Sequence, residues 1–352
     1  EPRLCAEEEG TRMSELGYEV QEIGACTLYR GKVETVLPVL PDASVQLIIA
    51  DPPYYKTKLF YEEQRIEWDR QWSNREAYLG WLRQLAKEWR RVLTPNGSVY
   101  CFASPQMAAW VEVALSESFH ILQRLTWRKP MFNTKAEMFD KESCRMFFAA
   151  SEAIIFMEQH GSEKPYTEAL IDGNRTYWNA CEQTKASLFG AYLHAEFTRA
   201  GATRREIAEL FPSRTGQLTG CVSNWLLGYN IPTREQYDAM RAHLNTRTCR
   251  TDYLRRDYED LRRDYEDLRR PFTVSATVPY TDVWDFATVQ AAPGKHPCEK
   301  PVPMLRHIIE ASSRLGDVVL DCFSGSGSTL EAAQQCGRQA IGIEQDRHWW
   351  KA

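Results

Sequence analysis

Paired cysteines are missing from this chain: ten cysteines are scattered through it without a single CxxC spacing. That pattern speaks against a zinc site and against a disulfide scaffold, so no metal is expected. Reduced thiols in a cytoplasmic protein are the expectation instead. Long apolar runs are missing too. No stretch approaches the roughly eighteen consecutive apolar residues of a membrane span, and none is expected. The opening residues Glu1–Gly10 are acidic and lack the apolar segment of a secretory leader. The chain opens on Glu1, Met13 is a candidate internal start, and residues 1–12 are set aside in reading the fold. Excess positive charge is also lacking, since the formal net charge is -5. Any surface for nucleic acid must then be a local basic patch, with acid concentrated elsewhere.

What the chain does have is apolar content and period. With 43% hydrophobic residues in 352, it suits one large α/β domain carrying an insertion, or two domains. Cys26–Gly31 reads as a strand and Lys32–Leu40 as a helix stopped by Pro41. Val45–Ala50 (VQLIIA) is a continuous apolar run, as in a strand buried on both faces. Asn74–Leu93 is a helix with Trp81, Leu82, Leu85 and Trp89 along one side. Pro95-Asn96-Gly97 predicts a turn, Ser98–Phe102 a strand, and Pro105–Ser116 a helix. Strands follow near Ile121–Trp127 and Ala153–Phe156. Near the far end, Val302–Leu315 predicts a helix, Asp317–Asp321 a buried strand, Ser328–Cys336 a helix and Ala340–Glu344 another strand. Alternating strands and helices imply a mostly parallel sheet with helices on both faces.

Two segments carry chemistry. Asp51-Pro52-Pro53-Tyr54 follows a buried strand, and open α/β sheets bind ligands outside the carboxyl ends of their strands. An amino group conjugated to an aromatic ring is a poor nucleophile, because its lone pair is delocalised into the ring. Asp51 and the Pro52 carbonyl could accept its two N–H bonds and favour a pyramidal nitrogen. Prolines stiffen the turn, and Tyr54 offers a face for a base to stack on. Taken alone, the tetrapeptide is also an ordinary strand-ending turn. The second segment, Asp321-Cys322-Phe323-Ser324-Gly325-Ser326-Gly327, leaves a strand and opens a helix. Its glycines allow close backbone approach, and the helix start presents free N–H groups. Glu344 ends the next strand at the offset of a ribose-hydroxyl acceptor. The glycine spacing is not GxGxxG, which counts against a dinucleotide. A loop, His296-Pro297-Cys298-Glu299-Lys300-Pro301, leads into the helix before this segment. Cys298 follows a proline, yet nothing nearby in sequence suggests an activated thiolate.

Together, Asp51–Tyr54, Phe323–Gly327, Glu344 and the HPCEKP loop resemble the β group of DNA amino-methyltransferases. In that group a catalytic DPPY comes first, a target-recognition region follows, and the cofactor motif FxGxG lies near the C-terminus. The resemblance covers about 26–157 and 280–346, including LPVLPDASVQLIIADPPY and the lead-in Asp282-Val283-Trp284. It implies a Rossmann-like methyltransferase sheet with a helical target-recognition insertion. The implied division is an N-terminal extension 1–25, a catalytic half 26–159, an insertion 160–280 and a cofactor-binding half 281–352. It further implies transfer of methyl from S-adenosylmethionine to N6 of a flipped adenine in double-stranded DNA, in a bacterial or phage setting. Asp51, Pro52, Pro53 and Tyr54 would hold the base. Asp321, Phe323, Ser324, Gly325, Gly327 and Asp51 would line the cofactor, with Glu344 on its ribose and Lys300 close by. N4 of cytosine is the alternative target, with Asp before Pro-Pro-Tyr leaning to adenine. A DNA-binding regulator on an inactive scaffold is a third reading, opposed by the intact motifs. A restriction-endonuclease partner is left open.

The middle lies outside the resemblance. Thr203–Leu210 and Thr219–Leu227, joined by the turn Phe211–Gln217, look helix-turn-helix-like, and Arg199, Arg204, Arg205 and Arg214 nearby could meet phosphates or guanine edges. Thr233–Leu244 predicts a third helix. Leu254–Arg270 then repeats LRRDYED, placing Leu254, Tyr258, Leu261, Tyr265 and Leu268 at heptad spacing. An exposed single helix or spacer is expected over a homodimer seam, because short isolated coils are marginal.

Overall fold

A computed structural model describes residues 17–55, 71–129, 147, 149–159, 185–248, 252–273, 281–289 and 298–350. The chain divides into two compact units, one of residues 1–170 with 271–352 and one of residues 171–270.

The first unit is built on a nine-stranded sheet. In chain order its strands are β1 (Glu19–Ile23), β2 (Cys26–Arg30), β3 (Val45–Ala50), β4 (Leu93–Ala103), β5 (His120–Arg128), β6 (Ser151–Glu158), β7 (Val283–Asp285), β8 (Val318–Asp321) and β9 (Gln339–Glu344). They lie side by side as β1-β2-β9-β8-β3-β4-β6-β5-β7. The run β2-β9-β8-β3-β4 is parallel, whereas β6 is antiparallel to both β4 and β5. The helices are α1 (Val33–Val36), α2 (Arg75–Val92) and α3 (Ala108–Ser116) early, with α9 (Val302–Ser312), α10 (Ser328–Gln335) and α11 (Arg347–Trp350) late.

The pattern of β3 explains its unbroken hydrophobicity. Ile48 and Ala50 belong to a core shared with α2 and α3, while Leu47 and Ile49 belong to a second core shared with α9 and α10. A strand between two apolar layers has no polar face to show. Helix α2 starts where Asn74 Oδ1 accepts the Ala77 N–H at 2.9 Å, an N-cap. It then buries Tyr78, Leu79, Leu82, Leu85, Ala86, Trp89 and Val92, the three-and-four spacing of one helical stripe. Among the described residues, no helix is long and apolar enough to cross a membrane.

The expected turn at Pro95–Gly97 is instead an irregular stretch within β4. Val45 pairs with Leu93 and Leu47 with Ser98, so residues 94–97 bulge out while β4 stays on its partner. Glycine is needed there: a Cβ at Gly97 would stand 2.5 Å from Leu93 Cδ1 and 2.9 Å from the Gln46 carbonyl oxygen. Helix α3 begins at Ala108, later than Pro105. The helix expected over Lys32–Leu40 is α1 followed by a 3₁₀ turn, Leu37–Val39.

The second unit is helical, with a π-helical turn at Ala186–Gly190 leading into α4 (Ala191–Ala200), then α5 (Arg204–Ala208), α6 (Cys221–Leu226), α7 (Arg234–Thr248) and α8 (Tyr258–Leu268). Helix α4 ends on Gly201 at φ 63, and Thr203 with Glu206 forms a capping box at the start of α5. The segment before α5 drew no helix from the sequence. Its core holds Phe189, Leu193, Phe197, Ile207, Trp225, Tyr237 and Leu244 together with Leu254, Tyr258, Leu261 and Tyr265.

That last group corrects the heptad expectation. Leu254, Tyr258, Leu261 and Tyr265 of the repeat face the core of their own unit, so they form neither an exposed spacer nor a seam for a second copy. The two LRRDYED copies also differ in conformation. Leu254 stands at φ 50 before any helix, Asp257 caps α8, and only the second copy is helical throughout. Replacing Leu261, fully buried here, by Ala should destabilise this unit by about 2–5 kcal/mol. Thermal melts of Leu261→Ala should show the loss at every protein concentration. A melting temperature that climbs with concentration in the wild type, and not in the variant, would restore the dimer seam.

Candidate active site

The parallel ladder between β3 and β8 pairs Ile49 with Asp321. Asp51 leaves β3 two residues on, and the segment Cys322–Gly327 leaves β8 directly. From β3 the chain proceeds to β4 on one side, and from β8 to β9 on the other. The crevice between them is a switch point at the carboxyl edge of the sheet, where α/β folds take their ligands. One cavity there is lined by Asp51, Phe102, Cys298, Lys300, Asp321 and the residues Phe323–Ser326, among others.

On the β3 side, Pro52 and Pro53 are buried and Tyr54 is half-buried. The next residue, Tyr55, holds φ 57, a left-handed conformation uncommon outside glycine. Its ring stacks on Tyr78 of α2 with centroids 5.6 Å apart, so packing pays for the strained turn that ends the loop. Asp51 Oδ2 accepts from Lys300 Nζ at 2.5 Å, and Lys300 lies 3.7 Å from Glu152 Oε2. The Tyr54 hydroxyl donates to Glu152 Oε2 at 2.9 Å, and Lys129 is bound to Glu152 Oε1. Burial pushes the Asp51 carboxyl upward and Glu152 adds to the rise, while Lys300 opposes it. Burial acts on Glu152 in the same direction, but Lys300, Lys129 and Tyr54 together outweigh it and hold that carboxyl below its ordinary range. Lys300 stays firmly an ammonium, because Asp51 and Glu152 overcome the cost of burying it.

On the β8 side, Asp321 Oδ1 accepts the Phe323 N–H at 2.9 Å, and Glu344 Oε2 accepts the Gly325 N–H at 2.8 Å. Gly325 and Gly327 stand at φ 49 and 81, which turns the chain into α10. A side chain at Gly327 would meet nothing within 4 Å, so backbone conformation rather than crowding calls for glycine there. Phe323 packs toward the aromatic group of α2, 6.0 Å from the Trp81 ring. Burial raises the Asp321 carboxyl to about 7 and lifts Glu344 as well. The Cys298 thiol is pushed up to about 11, chiefly by burial, which leaves it protonated and a poor nucleophile.

Two polar atoms on the lining residues are buried without a partner, Asp51 Oδ1 and Ser324 Oγ. Buried polar atoms left unpaired cost about 1–3 kcal/mol each. Both are able to hydrogen-bond a ligand in this cavity. With Asp51, Asp321 and Glu299 against Lys300 alone, the lining favours a cationic ligand. No group of His, Cys, Asp and Glu among the described residues is arranged to hold a metal.

Asp51, Tyr54, Lys300, Asp321, Phe323, Ser324, Gly325, Gly327 and Glu344 thus gather in one unit at one rim. His296 and Pro297 lie outside the described residues. Lys300 lines the cavity, but its charge is engaged by carboxylates on the Asp51 side. Sequence reasoning missed Glu152 and Lys129, because they reach the rim only through the reversed direction of β6 and its pairing with β5. Elsewhere, Arg199 departs from expectation. Its guanidinium binds Glu196, the Asp252 carboxylate and the Asp252 carbonyl, and it lies over the Tyr253 ring. Those contacts make it an internal tie of the helical unit. Arg204, Arg205 and Arg214 are exposed, Arg205 carrying a loose pair with Glu209 at 3.5 Å.

A family model described as DNA methylase (N6_N4_Mtase) matches residues 45–351. The chain is similar to the type II methyltransferase M.EcaI of Enterobacter cloacae, 26% identical over 310 residues, 85% of this chain and 62% of that protein. It therefore spans less than two thirds of that relative's length. It is also similar to DNA adenine methyltransferase YhdJ of Escherichia coli (strain K12), 25% identical over 323 residues, 91% of this chain and 78% of that protein. Among solved structures, the cytosine-N4-specific PvuII DNA methyltransferase matches at TM-score 0.49 and 13% identity, covering 92% of this chain and 83% of that one.

The raised Asp321 carboxyl makes stability depend on pH in a definite sense. Its folded-state value, about 7, lies above the ordinary 3.8. The stability it contributes is therefore complete below about pH 4 and lost as pH rises through 7. Thermal melts of the ligand-free protein between pH 5 and 8 should show Asp321→Asn gaining on wild type as pH rises. A constant difference would count against the shift.

Proposed function

We propose that this chain, which belongs to the DNA methylase family matched over residues 45–351, methylates the exocyclic N6 of adenine in double-stranded DNA, using S-adenosylmethionine. The observation that carries this is the shared cavity, where the Asp51 loop and the glycine turn meet and where Asp51 Oδ1 and Ser324 Oγ lack partners. The donor set fits the cofactor: carboxylates suit a sulfonium and an ammonium, and Ser324 with the free N–H groups at the start of α10 suits a carboxylate. Asp321, Phe323, Ser324, Gly325 and Gly327 would hold its methionine end, and Glu344 its ribose hydroxyls. When bound, the cofactor supplies an electrophilic methyl group on positively charged sulfur.

The chain's own residues then have a compact task. The base leaves the duplex stack, at a cost of a few kcal/mol, and Tyr54 provides a face for it. Asp51 and the Pro52 carbonyl accept the two amine N–H bonds, which turns the nitrogen lone pair out of the ring. The nitrogen would gain the methyl as the bound sulfonium's sulfur–carbon bond breaks, leaving a neutral thioether, and Asp51 would accept the proton the methylated nitrogen sheds. Rate comes from positioning and from fixed charge rather than from a covalent enzyme intermediate. Adenine is favoured over cytosine by Asp at the head of the Asp51–Tyr54 segment and by the name of the YhdJ relative. Arg204, Arg205 and Arg214 are our candidates for phosphate contacts from the helical unit. An endonuclease of matching specificity, in the same bacterial or phage-infected cytoplasm, would be the natural counterpart.

Incubation of DNA with methyl-labelled cofactor, followed by digestion to nucleosides, should return the label as N6-methyl-2′-deoxyadenosine. Label in N4-methyl-2′-deoxycytidine would change the substrate, and label in neither would sink the proposal. Asp51→Ala should lower turnover on the order of 10³-fold, far more than it lowers cofactor affinity measured by calorimetry. Replacing Arg204 and Arg205 by Ala should reduce the salt slope of DNA binding by roughly two, one for each lost cation. An unchanged slope would remove them from the DNA surface.

A further inference from the structure

Asp51 has two oxygens with different fates. Oδ2 is taken by the Lys300 ammonium at 2.5 Å, while Oδ1 is buried and unpartnered. Lys300 is not free to wander. Its side chain is 9% exposed, its Nζ sits 5.4 and 5.0 Å from the Tyr54 and Phe102 ring centres, and Glu152 stands 3.7 Å behind it. Glu152, 12% exposed, accepts from the Tyr54 hydroxyl at 2.9 Å, and that hydroxyl also acts on Asp51.

We infer that Lys300 and Glu152 are positioning residues for the methyl transfer: Lys300, held by Glu152, fixes Asp51 through Oδ2 and so reserves Oδ1 for the amine of the target base. This rests on the methyltransferase function proposed above. Two carboxylates at one rim repel each other, and a cation between them favours the charged form of each. With Oδ2 pinned, the carboxylate cannot rotate, and the open oxygen keeps one direction. The Tyr54 hydroxyl lies near Asp51 as well; by accepting from it at 2.9 Å, Glu152 draws that donor away from Oδ1, which is left without a partner. No bond is made or broken by either residue.

The groups facing Asp51 are Lys300, Glu152, Tyr54, Cys298, Cys101 of β4 and Asp321 of β8. Of these, Lys300 lowers its proton affinity and Glu152 raises it. Removing each therefore moves the acidic limb of the kcat profile in opposite directions, which a merely structural role would not do. With saturating cofactor and DNA, Lys300→Met should lower kcat on the order of 10²-fold at neutral pH and shift that limb up by about one pH unit. Glu152→Gln should shift it down and lower the plateau roughly tenfold, with KM for DNA and cofactor unchanged. The double variant should lose no more than Lys300→Met alone, because it no longer leaves two carboxylates facing each other.

A limb that stays in place in Lys300→Met, or a loss confined to KM, overturns the inference. Should that variant fail to fold, as seen by circular dichroism, Glu152→Gln decides: a limb that moves up or stays put overturns it. An active wild type with unmoved limbs removes only this inference. A wild type that methylates no base removes the proposed function, and the inference with it.

Discussion

Backbone pairing between β3 and β8 sets Ile49 opposite Asp321, and a ladder with that register leaves little freedom to whatever follows either strand. A shift of one residue would exchange the two faces of β3, sending Leu47 and Ile49 into the core now held by Ile48 and Ala50. Both cores therefore defend the register. The Asp51 loop and the glycine turn are far apart in sequence, yet they emerge side by side because hydrophobic burial on both sheet faces allows no other alignment. Chemistry at the rim is thus anchored by apolar packing beneath it.

The electrostatics follow from the same placement. Carboxylates of Asp51, Glu152, Asp321 and Glu344 converge where several strands end, and burial makes each one harder to ionise. Only Glu152, with two lysines and a tyrosine around it, is driven the other way. The rim thus holds one carboxyl raised to about 7, Asp321, and another, Glu152, held below its ordinary range. Neighbours decide which is which, since the side chains differ by a single methylene. A positive ligand would relieve the excess of negative charge on the β8 side, where no lysine or arginine lines the cavity beyond Lys300.

Strands buried on both faces and strand–turn–helix signals were readable from local pattern, and so were β3, β8, β9, α10 and the residues that end them. The bulge at residues 94–97 was not. Proline, asparagine and glycine there satisfy turn chemistry, and only the persistence of the β3 partner keeps the chain in the sheet. Glu152 was invisible for a similar reason: its role depends on strand direction, which local composition does not encode. The repeat of residues 254–267 misled through its regularity. Each copy contributes one leucine and one tyrosine to the same core while adopting different backbones, so side-chain burial, not helical phase, was what the repeat had in common. Arg199 shows a further limit: a charge near a helix-turn-helix pattern is paired, at the surface, with Glu196 and Asp252.

The reversal of β6 has an architectural consequence. In a wholly parallel sheet, only residues that finish strands can reach the ligand edge, and each is tied to the connection that follows it. Glu152 begins its strand instead, at the tip of β6 beside Ala103 and Trp127. Its neighbours in sequence belong to neither the Asp51 loop nor the glycine bend. Charge beside the Asp51 loop can thus be altered without rewriting that loop or the glycine bend, because the two inputs arrive from opposite directions along the chain.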